Sequence, residues 1–240
     1  YVDFLPEDEF TKLVTSDPTT RSEEDKKQLQ REAGVLRALG LIQGATDLGD
    51  AANALRGSGV VAFYSPTTER VKVRGTELTP SVRTTLAHEL THALQDQHFD
   101  LDRLQKAKTA TEQESFRTLA EGDAVTVEKA YVDQMSEADR KQAQEEEKAG
   151  SQQAKAGTSS VPDVLVASFA APYEFGPPFI AALKADGGTA KVDDAFRAPP
   201  KAEGQIIDIT DYLDHQPVRS VDKPQVDGAV GDQQDLGWLT

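Results

Sequence analysis

Cysteine is missing from this chain of 240 residues. Its absence excludes disulfides and the thiolate cages of structural metal sites, so any metal would have to be held by imidazoles and carboxylates. Positive charge is scarce as well: 26 Lys and Arg stand against 41 Asp and Glu, a formal net charge of −15. Nucleic acids and anionic membrane surfaces are both recognised by clustered Lys and Arg, so neither partner fits. The acidity serves solubility. No run of about 18 apolar residues occurs, so no segment reads as a membrane span. No internal repeat and no signal segment is visible. The chain opens at Tyr1 rather than at Met, which reads as a processed or trimmed product.

Histidine is also rare, with 4 in the chain, yet two of them fall within His88-Glu89-Leu90-Thr91-His92. A random chain of this composition should carry about 0.005 such H-E-x-x-H matches. On a helix four residues turn about 400°, so His88 and His92 share one face roughly a turn apart and can grip one zinc ion. Glu89 is displaced by about 100° from His88. It can lie beside the metal and take a proton from a polarised water without being a ligand. Leu86, Leu90 and Leu94 form an apolar stripe at i, i+4 and i+8, which predicts a core-facing side on the same helix.

The surrounding pattern predicts an α+β, mostly helical fold. The first stretch reads helical, with a short helix over 6–14. A capping box at Ser22-Glu23-Glu24-Asp25 opens a helix that runs to about Leu39 and stops at Gly40. One or two turns follow over 48–55. The runs 60–64 and 70–74 read as a β-hairpin, taken as an edge hairpin able to line a cleft. Val71 and Val73 alternate with Arg70, Lys72 and Arg74, which gives the second strand one wet face. Thr79-Pro80 starts the motif helix, 80–98. A second long helix is expected over 111–135, with Phe116, Leu119, Ala120, Val127 and Ala130 as its apolar face. Residues 136–160 are polar and read as a flexible insertion. Beyond it, 161–240 reads as a helical C-terminal lobe. Helices are expected near 161–171, 173–185 and 189–197, ahead of an irregular tail in which 235–239 begins a further element. Residues 1–135 and 161–240 together make one bilobed catalytic unit.

A catalytic zinc needs a third protein ligand and an open position. His98 lies ten residues after His88, but Gln95 stands where that pattern needs a glycine to end the helix. On a continuing helix His98 is turned about 240° from His92 and faces away. Its expected part is to help end the helix or to pair with Asp96 or Asp100. Glu121 is the other candidate. It sits mid-pattern among Ala and Leu, where a carboxylate is costly unless a metal or a partner relieves it. Gly122 beside it allows two helices to approach closely, and Asp123 can hold the second ring N–H of a histidine. Glu114 and Glu128, at i±7 from Glu121, are the fallback ligands.

An H-E-x-x-H followed by a Glu on the next helix resembles the gluzincin arrangement of zinc metallopeptidases. More narrowly, the run from His88 to Phe99, with Glu121-Gly122-Asp123-Ala124, is similar to little-characterised bacterial extracytoplasmic zincin-like proteins. The resemblance covers about 60–131, with a weaker echo over 173–213 that includes Gly187-Gly188 and Pro199-Pro200. It implies a zincin-like fold, one Zn2+, a peptide or protein substrate, and a secreted or lipid-anchored location. Asp208 stands where similar proteins carry a histidine after a Gln–hydrophobic pair, so no auxiliary histidine is carried over.

The expected reaction is peptide-bond hydrolysis with Glu89 as general base and His88, His92 and Glu121 as ligands. The strand at 71–74 is expected to hold the substrate backbone. An oxyanion donor is also needed, and Tyr131, His215, Tyr173 and Tyr212 are the candidates. A zinc-binding scaffold that cleaves nothing is the rival, for which the long polar insertion and the aromatic content of 6% leave room. A metal-free helical protein is a third reading.

Overall fold

The computed structural model describes residues 1–107 and 109–218. The elements are β1 (Val2–Leu5), α1 (Glu7–Val14), a 3-10 turn (Pro18–Thr20), α2 (Glu23–Ala38), α3 (Leu48–Gly59), β2 (Ala62–Ser65) and β3 (Arg70–Arg74). They continue with α4 (Pro80–Phe99), α5 (Arg103–Lys106), α6 (Ala110–Gln134), α7 (Glu137–Gly157), α8 (Asp163–Arg197), α9 (Gly204–Ile207) and α10 (Ile209–Leu213). The chain is α+β and mostly helical. The element expected at 235–239 lies outside the described residues. Two units each combine two stretches: Tyr1–Ala93 with Val127–Ala170, and Leu94–Thr126 with the described part of Ala171–Thr240.

In the first unit the expected hairpin forms, β2 antiparallel to β3. The structure adds a strand that the sequence pattern did not announce. β1 pairs parallel with β3, giving the order β1-β3-β2. This corrects the expectation that β3 is an edge able to hold substrate: β3 is central and hydrogen-bonded on both sides, and β2 is the outer strand beside it. Val71 and Val73 are buried with Ala62, packed on Val82 and Leu86 of α4. On the opposite face Asp3 of β1 pairs with Arg70 and with Lys72, the latter at 3.2 Å. The Arg70 hydrogen bond, joined by Lys72, holds the Asp3 carboxyl well below its usual range.

α2 starts at the expected capping box, with Ser22 and Asp25 bonded reciprocally. It ends in a Schellman motif, where Leu41 N–H reaches Leu36 O at 2.9 Å and Gly40 N–H reaches Arg37 O at 3.0 Å. Gly40 takes φ +75°, a left-handed conformation that costs glycine least. α3 extends four residues past the expected Leu55, to Gly59.

The larger correction is α7. The expected flexible insertion is a helix from Glu137 to Gly157. Its Ala, Glu, Gln and Lys are strong helix formers. Ser136 caps it by accepting Asp139 N–H at 3.1 Å. One residue, Ala143, is buried. Low hydrophobicity therefore marks a solvated helix here, not a disordered chain.

Glu146 ties α7 to the start of α4: its Oε2 accepts Ser81 N–H at 3.0 Å, an amide that the first turn of a helix leaves unpaired. Burial alone would raise its pKa, but hydrogen bonds from Ser81, Gln142 and Thr79 outweigh burial and lower it from 4.5 to about 2. A carboxylate depressed in the fold stabilises above its unfolded pKa and loses that contribution as pH falls through the folded value. Glu146→Gln is therefore expected to cost about 1 kcal/mol at pH 7, after discounting for solvent screening. The difference in melting temperature from the parent should shrink as pH falls from 4.5 towards 2. Parallel melting curves across that window would show that the contact contributes nothing.

The second unit is built on α6 and α8. Phe116, Leu119 and Ala120 of α6 pack with Phe179, Ile180, Leu183, Val192, Ala195 and Phe196 of α8 and with Ile206 of α9. Each large side chain buried there contributes about 1.5–3 kcal/mol. Val127 and Ala130, expected on the apolar face of α6, are exposed instead. The helices expected over 161–171 and 173–185 are one, because α8 runs on through a buried Pro172. Packing of its apolar face outweighs the lost backbone bond. The break expected at Gly187-Gly188 is present, with non-helical dihedrals at both residues.

Candidate metal centre

α4 opens as the sequence predicts. Thr79 Oγ1 accepts Val82 N–H at 3.4 Å and Pro80 takes the first helical position. The helix continues through Gln95 to Phe99. Its buried face is not the leucine stripe: Leu90 and Leu94 are 51% and 55% exposed. Val82, Thr84, His88, Glu89, Thr91 and Gln95 are buried instead. The polar members of that face are satisfied. Thr84 and Thr91 hydroxyls donate to the Pro80 and Ala87 carbonyls at 3.2 and 2.8 Å. The Gln95 amide donates to Ala120 O at 3.1 Å and to Asp123 Oδ2 at 3.0 Å.

One turn apart on this helix, His88 and His92 bring their Nε2 atoms to 3.1 Å from each other, with ring centroids 4.8 Å apart. The ligand atoms of His88, His92 and Glu121 all lie within 4.8 Å of one another. His88 is buried; His92 and Glu121 are half-buried. Among the described residues these three make a group that could hold a metal ion. The donor set suits zinc, with two imidazoles and a carboxylate leaving a fourth position open. Tetrahedral zinc with bonds of about 2.0–2.1 Å sets its nitrogens about 3.3 Å apart, close to the 3.1 Å present here.

Glu89, the expected base, is 7% exposed. Its Oε2 accepts Tyr64 N–H at 2.7 Å. That amide lies on the outer edge of β2. Arg74 N–H bonds Val61 O at 2.9 Å, and in an antiparallel ladder the bonding residues alternate, so Tyr64 turns its N–H away from β3. The amide fixes one oxygen of Glu89, the residue after His88 on the same helix.

The neighbours of the three candidate ligands differ in part from expectation. Asp123, expected to hold a histidine ring N–H, accepts the Gln95 amide instead. A different carboxylate lies against the ring: Glu128 Oε2 is 3.0 Å from His88 Nδ1. Glu147 of α7 is close enough to Glu128 that burial first, and the Glu128 charge second, push its carboxyl upward. Glu114, the other fallback ligand, pairs with Arg117 at 3.5 Å. Burial pulls the Arg117 pKa down, but the charges of Glu114, Tyr173 and Glu121 outweigh it and hold it above the ordinary value.

Of the oxyanion candidates, Tyr173 is placed at the group. Its hydroxyl donates to Glu121 Oε1 at 3.2 Å. Tyr212 is engaged elsewhere, donating to Ala198 O at 2.8 Å. Tyr131 is half-buried on α6, ten residues past Glu121, or about 15 Å along the axis. His215 is exposed just after α10, in a left-handed conformation with φ 54°. Neither is in the ligand group, and neither is the exposed His98. The sequence names Gln95 and Glu128, but not as the partners of Asp123 and His88 that they are. Each sits seven positions from a candidate ligand, His88 or Glu121, and so on the same helix face.

No family model, no curated protein and no solved structure matches this chain. Among the described residues no helix is long and apolar enough to cross a membrane.

Proposed function

We propose that this chain is a zinc-dependent peptide hydrolase of gluzincin type, with a zincin-like fold, that works outside the cytoplasm. His88, His92 and Glu121 hold the metal and Glu89 is the general base. The observation that carries the reading is the pair of imidazole Nε2 atoms facing each other at 3.1 Å, with the Glu121 carboxylate within 4.8 Å. When bound, zinc supplies Lewis acidity, which acidifies a water and polarises a carbonyl. Glu89 takes the proton of the attacking water and returns it to the leaving amine. The Tyr64 amide holds the Glu89 carboxylate in place for that transfer. The Tyr173 hydroxyl, which donates to Glu121 Oε1, is the proposed donor to a developing oxyanion. β2, the outer strand beside β3, is the strand proposed to lie along an extended peptide.

The test is cleavage of a mixed peptide library, read by mass spectrometry. Hydrolysis should appear with zinc, vanish with EDTA and return when zinc is restored. A zinc-loaded protein that cuts nothing would instead support the non-proteolytic zinc-binding reading.

A further inference from the structure

We infer that Glu128 is a positioning residue for the metal, holding the His88 imidazole in the one tautomer and orientation that presents the Nε2 lone pair for ligation. This rests on the metal-site reading above and extends it to a carboxylate that is not a ligand. The two nitrogens of an imidazole lie on different edges of the ring. His88 turns Nε2 toward His92 Nε2 at 3.1 Å and Nδ1 toward Glu128 Oε2 at 3.0 Å. A metal shared by the two histidines would be held at the Nε2 edges, and Glu128, at the Nδ1 edge, would not ligate it. That removes Glu128 as a fallback third ligand and gives it another task. A carboxylate can only accept at this distance, so Nδ1 carries the proton and donates, and Nε2 keeps its lone pair for the metal.

The arrangement follows from one helix. Glu121 and Glu128 are seven residues apart on α6, two turns along nearly the same face. α6 thus carries both the carboxylate that would ligate the metal and the carboxylate that orients a ligand. His88 is 7% exposed, so losing the carboxylate removes an acceptor from a buried ring nitrogen.

Two measurements test this. The first is 15N-detected NMR of His88 in metal-free parent protein, which needs no substitution: the Nδ1–H tautomer is expected, and an Nε2–H ring would overturn the inference. The second is Zn2+ titration against a chromophoric chelator. Glu128→Ala should weaken zinc about 10- to 100-fold. Glu128→Gln, whose amide oxygen still accepts from Nδ1–H, should recover part of that loss. Equal zinc affinity in the parent and in folded Glu128→Ala, checked by circular dichroism, would also overturn it. A parent protein that binds no zinc at all would sink the metal reading instead, and the tautomer would still decide what Glu128 does.

Discussion

Glu89→Gln is expected to keep its zinc and lose hydrolysis by about 100- to 10,000-fold, the usual share of a positioned general base. Glutamine has nearly the shape of glutamate and can still accept the Tyr64 amide that Glu89 Oε2 accepts at 2.7 Å. It cannot take a proton. The substitution therefore separates base chemistry from metal binding, because the candidate ligands His88, His92 and Glu121 are untouched. Rates should be measured on a peptide identified from the library, with zinc content measured on the same sample. Activity within about tenfold of the parent would remove Glu89 as the base. Loss of zinc together with activity would mean that Glu89 supports the site rather than the proton transfer.

The second large effect is expected where α6 meets α8. A Cβ built on Gly122 would lie 2.4 Å from the Gly176 carbonyl carbon, and one built on Gly176 would lie 2.4 Å from Thr118 O and 2.5 Å from Gly122 Cα. These neighbours are backbone, so no side chain can swing away; the helices must separate. Parting them opens a core that includes Leu119, Ala120 and Phe179. Gly122→Ala or Gly176→Ala should cost about 3 kcal/mol, at or above the upper end of ordinary overpacking. For a chain of this size that lowers the melting temperature by about 6–12 °C. Gly34 is the control, since a Cβ there meets nothing within 4 Å; Gly34→Ala in the middle of α2 should be neutral to stabilising. An unchanged melting temperature in Gly122→Ala would mean that the crossing is looser than described. Glu121 is adjacent to Gly122, so weaker zinc binding should accompany the lost stability.

The parts legible in the sequence are those written in local chemistry. Ser22 and Asp25 announce the start of α2, Thr79-Pro80 announces α4, and His88 and His92 share a face because of helix period alone. The features that were not legible depend on distant pairing or on the balance of burial. β1 is four residues whose partner, β3, lies more than sixty positions away, and nothing local marks such a pairing. The leucine stripe misleads because Leu90 and Leu94 stay exposed. α4 instead buries a polar face whose hydroxyls and amide bond to nearby carbonyls and to Asp123. For the histidine's partner, neighbourhood to Glu121 favoured Asp123, yet Gln95 holds it, and the ring faces Glu128 two turns on. In the polar run at 136–160 poor burial and strong helix propensity point in opposite directions, and propensity prevails in α7.

The central claim is that His88, His92 and Glu121 hold one metal ion. Elemental analysis of protein stripped of metal, reloaded with Zn2+ and desalted tests it most directly, with a His88→Ala/His92→Ala variant treated alongside. About one zinc per parent chain and almost none in the variant is the expected result. A parent chain that retains no zinc, or a variant that retains as much as its parent, would contradict the claim.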